Sequence, residues 1–296
     1  MTTALRRFII ILLGVLAGAV VWPLMELVLH LQQSFPGYLF FSLAQGALLG
    51  LVMGAFFGTG EGLTSKQRGK IVYGALIGGM VGIAGGVAGF TAGQGVLFLL
   101  VRRVSASYAV RMSVLIPAAR IVGWSILGTA VGLAEGVRAR SMKKSLVGLL
   151  GGFIGGAVGG LAFEYVPLIL SGFVFSRLIG LVLFGALIGL FFSLLERRVS
   201  LGVVKILNGK ARGKEYSLVQ RRTGFGKSPK NAIVLSDYDA VEDIHGRFIA
   251  RGRDVFVVQE ENRKISINER PVKGEQLLKY EDVIQIGSAK LLYKTE

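Results

Sequence analysis

Residues that could carry acid–base or ligand chemistry are scarce in the first two thirds of the sequence. Residues 1–199 contain 16 Lys or Arg side chains but five carboxylates. The chain has no cysteine, which excludes disulfides, thiol catalysis and cysteine metal sites. It also contains no HExxH, GxSxG or GxxxxGK[ST] motif. We therefore predict a protein that is not an enzyme and that needs no metal or cofactor. The five carboxylates are Glu26, Glu61, Glu135, Glu164 and Glu196.

Four charged residues of this region are candidate functional residues, because ionisable groups in a membrane are costly to bury. Glu61 and Glu135 each precede a glycine and a basic turn, whereas Arg120 and Arg177 stand where apolar segments begin. The two glutamates either pair with bases of the turns or form a symmetric ion or headgroup site. The two arginines are expected to anchor helix ends at the interface. The bases within reach of the glutamates are Lys66, Arg68, Arg138 and Lys144.

Six apolar segments are long enough to hold these residues in a lipid bilayer, since about 20 residues span its hydrocarbon core. The mean hydropathy of the chain is +0.60, and 52% of its residues are hydrophobic. The first apolar run continues from Phe8 through Val28, which favours an uncleaved helix over a signal peptide. The predicted spans are 8–29, 39–62, 71–92, 113–136, 145–166 and 178–196.

The distribution of basic residues predicts the orientation of these spans. An even number of spans places both termini on one side of the membrane. With the N-terminus inside, eleven Lys or Arg side chains flank the inner ends and five flank the outer ends. Both termini are therefore predicted to be cytoplasmic. The net charge of +16 lies largely in these short turns, which argues against nucleic-acid binding.

Residues 45–92 and 119–166 form an internal repeat with an offset of 74 residues. Glycines coincide at this offset, and so do Glu61 with Glu135 and Lys70 with Lys144. Each unit is predicted to be a hairpin of two helices that pack through glycines at every fourth position. The glycine ridges either serve packing alone or allow helices to slide, as in a channel or transporter.

The C-terminal residues 200–296 have a different pattern, with short β-rich runs separated by turn residues such as Asn208-Gly209 and Ser236-Asp237. Many short strands at close spacing predict an all-β sandwich or barrel. The predicted strands are 203–207, 215–218, 232–235, 247–250, 255–258, 264–267, 283–286 and 291–293.

Five motifs of this region resemble a forkhead-associated (FHA) domain: TGFGK at 223–227, NAIVL at 231–235, EDIH at 242–245, IN at 267–268 and LLKYEDVIQIG at 277–287. The resemblance covers about 203–294. It implies a β-sandwich whose loops bind phosphothreonine peptides, in a bacterial signalling or assembly protein.

The resemblance also assigns a peptide-binding face, with changes at the phosphate contacts. Lys227 replaces the family arginine, and it can hold phosphate only as a point charge. Glu242 replaces the phosphate-binding serine and would repel a dianion, or it could pair with Lys227. The family asparagine–glycine pair falls on Arg263-Lys264 or, with a one-residue shift, on Asn262. His245 is expected to order its loop. The predicted face comprises Lys227, Glu242, His245, Arg263 and Asn268.

The sequence thus predicts an α-helical membrane bundle of about six spans in residues 1–199, followed by an FHA-like β-sandwich in residues 200–296. The predicted function is a non-enzymatic membrane-anchored scaffold that binds a cytoplasmic protein, independently of phosphorylation, for signalling or assembly. The alternative is a small transporter or channel regulated by the FHA-like domain. The predicted location is a bacterial inner or plasma membrane, and the sequence leaves the oligomeric state open.

Overall fold

The structure is a computed structural model that describes residues 3–65, 68–104, 107–138, 142–170, 172–199, 201–252, 254–260 and 263–294. The chain divides into two compact units. Residues 7–196 form a helical unit, and most of the other unit consists of residues 197–296. The two units are described separately.

The helical unit contains six segments that are long and apolar enough to cross a membrane, counted over the described residues. The span from Tyr38 joins two helices, and the span from Tyr108 passes through a π-helical stretch at Arg111–Leu115. The helices are α1 Thr3–His30, α2 Tyr38–Gly58, α3 Gly60–Ser65, α4 Arg68–Arg103, α5 Tyr108–Val110, α6 Ile116–Arg138, α7 Met142–Ile169 and α8 Ser176–Val199.

The number of spans agrees with the prediction, but the third span is longer than predicted. Helix α4 continues to Arg103, eleven residues beyond the predicted end at 92. The predicted span ended just before Gly93-Gln94-Gly95, and glycine weakens an isolated helix. In the structure Gly93 is buried against the backbone of α6 near Ala119, and this packing stabilises the helix at Gly93.

Glycines bring the helix backbones together in pairs. Along α2 and α4, Gly50 faces Gly82 and Gly54 faces Gly78, so that a Cβ at either member would overlap the opposite carbonyl group. The same arrangement recurs between α6 and α7, where Gly132 faces Gly148. Such contacts give the van der Waals packing that replaces the hydrophobic effect inside a bilayer.

A cluster of aromatic side chains packs around Trp124 inside the helical unit. The ring of Trp124 lies 4.9–5.4 Å from the rings of Phe90, Phe163 and Phe184, in edge-on arrangements. These contacts join α4, α6, α7 and α8, and edge-to-face geometry is favourable for aromatic rings.

The C-terminal unit is a β-sandwich of two sheets, as predicted. One sheet has the strand order β2-β1-β11-β10-β7-β8 and the other has the order β4-β3-β5-β6-β9. The β3–β4 pair is parallel and the other described pairs are antiparallel. The strands are β1 Val203–Ile206, β2 Glu215–Ser217, β3 Arg222–Gly226, β4 Ile233–Val234, β5 Gly246–Arg251, β6 Asp254–Gln259, β7 Ile265–Ile267, β8 Arg270–Pro271, β9 Glu275–Leu277, β10 Val283–Ile286 and β11 Ala289–Lys294.

Three strands were missing from the prediction: β3, β8 and β9. Strand β3 contains two glycines, and β9 is the polar sequence Glu275-Gln276-Leu277, so neither has the usual strand composition. Tertiary pairing forms them, because β3 pairs with β5 and β9 pairs with β6. The core between the sheets is closed by residues of this unit alone, including Phe225, Phe248 and Tyr293.

Candidate functional sites

A cluster of charged side chains lies at the end of the helical unit where α3 meets the start of α4. Glu61 forms ion pairs with Arg138, with Lys144 at 3.5 Å and with Lys70 at 3.8 Å. Lys144 also pairs with Glu135 at 3.3 Å. Four helices therefore share one network, and its side chains are mostly buried; that of Arg138 is 7% exposed.

Some ion pairs of this network occur in both predicted hairpins, and others connect one hairpin to the other. The pairs Glu61–Lys70 and Glu135–Lys144 lie at equivalent positions of the two predicted hairpins. Arg138 and Lys144 belong to the second hairpin and also contact Glu61 of the first. The structure thus brings both predicted glutamates together through Lys144. Of the other two expected bases, Lys66 lies outside the described residues, and no ion pair of Arg68 occurs in the part of the chain that the structure describes. Buried charges that are paired in this way hold elements in register, and removing one partner leaves the other uncompensated.

Arg120 and Arg177 lie at the opposite end of the helical unit, and each pairs with a glutamate. Arg120 contacts Glu164 at 3.2 Å, and Arg177 contacts both carboxylate oxygens of Glu26 at 3.2 Å. The indole nitrogen of Trp124 also donates to Glu164, at 2.9 Å. The Glu164 side chain is 7% exposed, whereas both arginine side chains are more than half exposed.

Neither of these two pairs was predicted from the sequence, although all four residues had been noted as charges. The partners are 44 and 151 residues apart along the chain. The only available signal was that each residue lies near the same end of its predicted span. That signal gives the depth of a residue in the bilayer but not which helices are neighbours.

The predicted peptide-binding face of the β-sandwich is held together by backbone hydrogen bonds. The amide of Lys227 donates to the carbonyl of Glu242 at 2.9 Å, and the amide of Ser228 donates to the carbonyl of Asp243 at 3.1 Å. The side-chain amide of Asn231 donates to that same carbonyl at 2.6 Å. The loops after β3 and before β5 are therefore adjacent, as the resemblance to FHA domains implied.

The side chains of Lys227 and Glu242 do not form the salt bridge that the sequence suggested, within the residues described here. The two residues meet through their backbones, while the Glu242 side chain is exposed and that of Lys227 is partly exposed. Both charges are thus available to a binding partner.

His245 joins two loops from a buried position. The residue is 3% exposed, its Nδ1 accepts from the amide of Glu242 at 3.2 Å, and its Nε2 lies 3.2 Å from the carbonyl of Lys264. These partners assign the neutral tautomer that donates from Nε2. His245 thus holds the Glu242 loop beside Arg263-Lys264, where the asparagine–glycine pair of FHA domains was expected.

Asn268, also predicted for the binding face, uses its side chain for hydrogen bonds within the β-sandwich. Its backbone has φ +48°, and its side chain donates to Asp282 at 2.8 Å and accepts from the amide of Val283 at 2.9 Å. These bonds connect the turn between β7 and β8 to the start of β10. Asp282 in turn accepts from the amide of Lys279 at 2.7 Å, a contact that the sequence motif did not reveal.

Comparison with protein families matches residues 205–296 to the cytoplasmic domain of the inner membrane component of T3SS. The matched stretch is the C-terminal third of the chain. No curated protein matches the chain.

Among solved structures, the chain is similar to FHA domains. The FHA domain of the CT664 protein from Chlamydia trachomatis is 20% identical, over 32% of this chain and 97% of that one, with a TM-score of 0.30. The cytoplasmic domain of the T3SS sorting platform protein PscD from P. aeruginosa is 17% identical, over 32% and 79%, with a TM-score of 0.29. An FHA domain from a study of phosphothreonine-dependent interactions is 20% identical, over 32% and 96%, with a TM-score of 0.29.

Proposed function

We propose that this chain is a non-enzymatic membrane scaffold for the assembly of a bacterial inner-membrane complex or signalling system. Its six apolar spans anchor it, and its FHA-like β-sandwich binds a cytoplasmic protein through the loop face of Lys227, Glu242 and Arg263. The family match supports an assembly role, because the matched model describes the cytoplasmic part of a T3SS inner-membrane component.

The observation that carries the proposal is the backbone pairing of Lys227 with Glu242. It brings together the two loops that contact phosphate in FHA domains, but it places an exposed carboxylate there. A phosphate dianion would be repelled by Glu242 and would gain only a point charge from Lys227. We therefore propose recognition of an unphosphorylated protein, with the mixed charges of this face selecting the partner.

Calorimetry on the isolated domain of residues 200–296 tests this proposal. The domain has its own closed core and is expected to fold alone. We expect the unchanged domain to show no phosphate-dependent binding to a phosphothreonine peptide library. The Lys227→Arg/Glu242→Ser variant should bind such peptides with an affinity about tenfold higher or more, because one charge-assisted hydrogen bond supplies that much free energy. Glu275→Ser, which removes the same charge from β9, is the control and should show no gain. Micromolar, phosphate-dependent binding by the unchanged domain would refute the proposal.

The topology of the anchor is a separate part of the proposal. We infer that both termini are cytoplasmic, from the excess of basic residues at the inner turns. Reporter fusions after residues 35, 67, 106, 141, 170 and 296 should alternate between the two sides, with the first outside. A fusion at 296 that is active only outside the cell would overturn the cytoplasmic location of the β-sandwich. Solute or ion flux into liposomes containing the protein would favour the transporter alternative instead.

A further inference from the structure

A cavity of about 470 Å³ lies at the end of the helical unit opposite the Glu61 network. Helices α1, α4 and α7 end near it, and the spans of α2, α6 and α8 begin near it, so that all six spans contribute to its wall. This volume lies within the range of about 300–1,000 Å³ that is typical of small-molecule sites. The cavity is distinct from the proposed peptide-binding face, which belongs to the other unit.

The charges of the cavity wall are balanced. Arg120 with Glu164 and Arg177 with Glu26 both line the cavity. A simple anion approaching either arginine would also meet its paired carboxylate, and a simple cation would meet the guanidinium group. A ligand with both signs of charge can complement both pairs without displacing either. Each arginine has five N–H donors, and in the two pairs only its Nη1 atom is within hydrogen-bond distance of a carboxylate.

Two further polar groups face the cavity without a partner in the described part of the chain. The indole nitrogen of Trp22 is buried and has no hydrogen-bond partner there. The side-chain amide of Gln45 likewise makes no hydrogen bond to any described residue. A buried donor that stays unpaired is costly, so the Trp22 indole indicates a polar ligand.

The remaining wall is mostly apolar and aromatic, with Phe90, Trp124 and Phe163 among its residues. A small water-soluble zwitterion would leave this surface uncovered, whereas an amphiphile would cover it with hydrocarbon. Indole rings also attract ammonium groups through their faces.

We propose that this cavity binds a phospholipid with a zwitterionic ammonium–phosphate headgroup, drawn from the leaflet at this end of the bundle. The phosphate accepts from the free N–H groups of Arg120 and Arg177. The primary ammonium donates to Glu26, and the Trp22 indole donates to a headgroup oxygen. The upper part of the acyl chains lies against the aromatic wall.

The chain contains its own reporter of this site, because its two tryptophans, Trp22 and Trp124, both line the cavity. The full-length protein is reconstituted in bilayers that contain phosphatidylethanolamine or phosphatidylglycerol with brominated acyl chains, which quench nearby tryptophans. Competition between brominated and ordinary lipids gives a relative binding constant. We expect phosphatidylethanolamine to bind about tenfold more tightly, the size of effect given by one charge-assisted hydrogen bond.

Variants distinguish the cavity from the general lipid surface. Glu26→Gln should abolish the preference, because Glu26 accepts from the ammonium group that phosphatidylglycerol lacks, and both tryptophans still report the result. The control Arg103→Gln removes an exposed charge at the same end of the bundle, from a residue outside the cavity wall, and should leave the preference unchanged. If Glu26→Gln does not fold, Glu26→Gln/Arg177→Gln removes the whole ion pair, leaves no unpaired charge and should abolish the preference as well.

Three results would overturn the proposal. Equal quenching by both lipids would mean that the tryptophans sense bulk bilayer only. A preference for phosphatidylglycerol would mean that the site selects an anion. Displacement of the lipid by soluble phosphorylethanolamine at a matching concentration would mean that the acyl chains contribute nothing, and the occupant would then be a soluble zwitterion.

Discussion

Replacing Gly82 by alanine should destabilise the helical unit, although the change adds a single methyl group. The new Cβ would overlap the carbonyl oxygen of Gly50, lie 2.7 Å from its carbonyl carbon and lie 3.1 Å from the Cα of Gly54. Both obstacles are backbone atoms of α2, so no side-chain rotation can relieve the contact. Helices α2 and α4 would have to separate.

Overpacking of this kind costs about 1–3 kcal/mol and occasionally more. Because backbone opposes backbone, we expect the upper end of that range, reduced by about 1 kcal/mol because alanine favours a helix over glycine. Gly95→Ala is the matched control on the same helix, since no atom lies within 4 Å of its added Cβ. Gly95→Ala should leave the free energy of unfolding unchanged or raise it by up to about 1 kcal/mol. The two variants should therefore differ in free energy of unfolding by about 3 kcal/mol.

Thermal unfolding in detergent, followed by tryptophan fluorescence, measures this difference. Both tryptophans belong to the helical unit, so the signal reports on its unfolding. For a unit of this size, about 3 kcal/mol corresponds to a difference in Tm of about 6–12 °C. Equal Tm values for Gly82→Ala and Gly95→Ala would refute the argument from close backbone contact. Gly156→Ala tests the α6–α7 contact in the same way, because its Cβ would lie 3.0 Å from the Cα of Gly128.

Two other predictions concern the charged network and the β-sandwich. Glu61→Gln leaves buried Arg138 without its paired carboxylate and should lower the free energy of unfolding by about 3 kcal/mol in the same assay. Adding Arg138→Gln to this variant should restore part of the loss. If the double variant is no more stable than Glu61→Gln, the pairing is contradicted. Burial raises the pKa of Tyr293, so the folded domain keeps this proton at a pH where the unfolded chain has lost it. The stability of the isolated domain should therefore be full below about pH 10 and should fall as the pH rises further, and the fall should be smaller in Tyr293→Phe. Urea unfolding on both sides of about pH 10 measures this, and identical slopes for the two proteins would disprove it.

The number of membrane spans was predictable because it depends on local composition. A run of about 20 apolar residues between basic turns has few alternatives to a membrane helix. The end of α4 was not predictable, since helix continuation through Gly93 depends on a neighbouring helix that the local sequence does not specify. Strand β9 was missed for the same reason, because its pairing with β6 rather than its composition makes it a strand.

The charged sites differ in how far the sequence predicts them. The Glu61 network follows partly from sequence, because Lys70 is nine residues away across one hairpin turn. The contact of Glu61 with Arg138 requires the two hairpins to lie side by side, which sequence periodicity does not give. The pair of Glu26 with Arg177 connects the first and last spans and is beyond any local pattern. Consequently the cavity between these pairs could not have been predicted.

Substitutions in the loop face of the β-sandwich should change which partner it binds without loss of the fold. The loops around Lys227 and Glu242 are held by backbone hydrogen bonds and by His245, not by the side chains at those two positions. The close approach of the backbones also requires glycine at position 226, because a Cβ there would lie 2.7 Å from the carbonyl oxygen of Glu242. Substitutions at positions 227 and 242 therefore alter the charge presented to a partner and leave the loop geometry in place. For this reason Lys227→Arg/Glu242→Ser should unfold at the same urea concentration as the unchanged domain. If it does and still fails to bind phosphothreonine, the charge of Glu242 is not what excludes phosphate, and the loop geometry itself must differ from that of a phosphopeptide receptor.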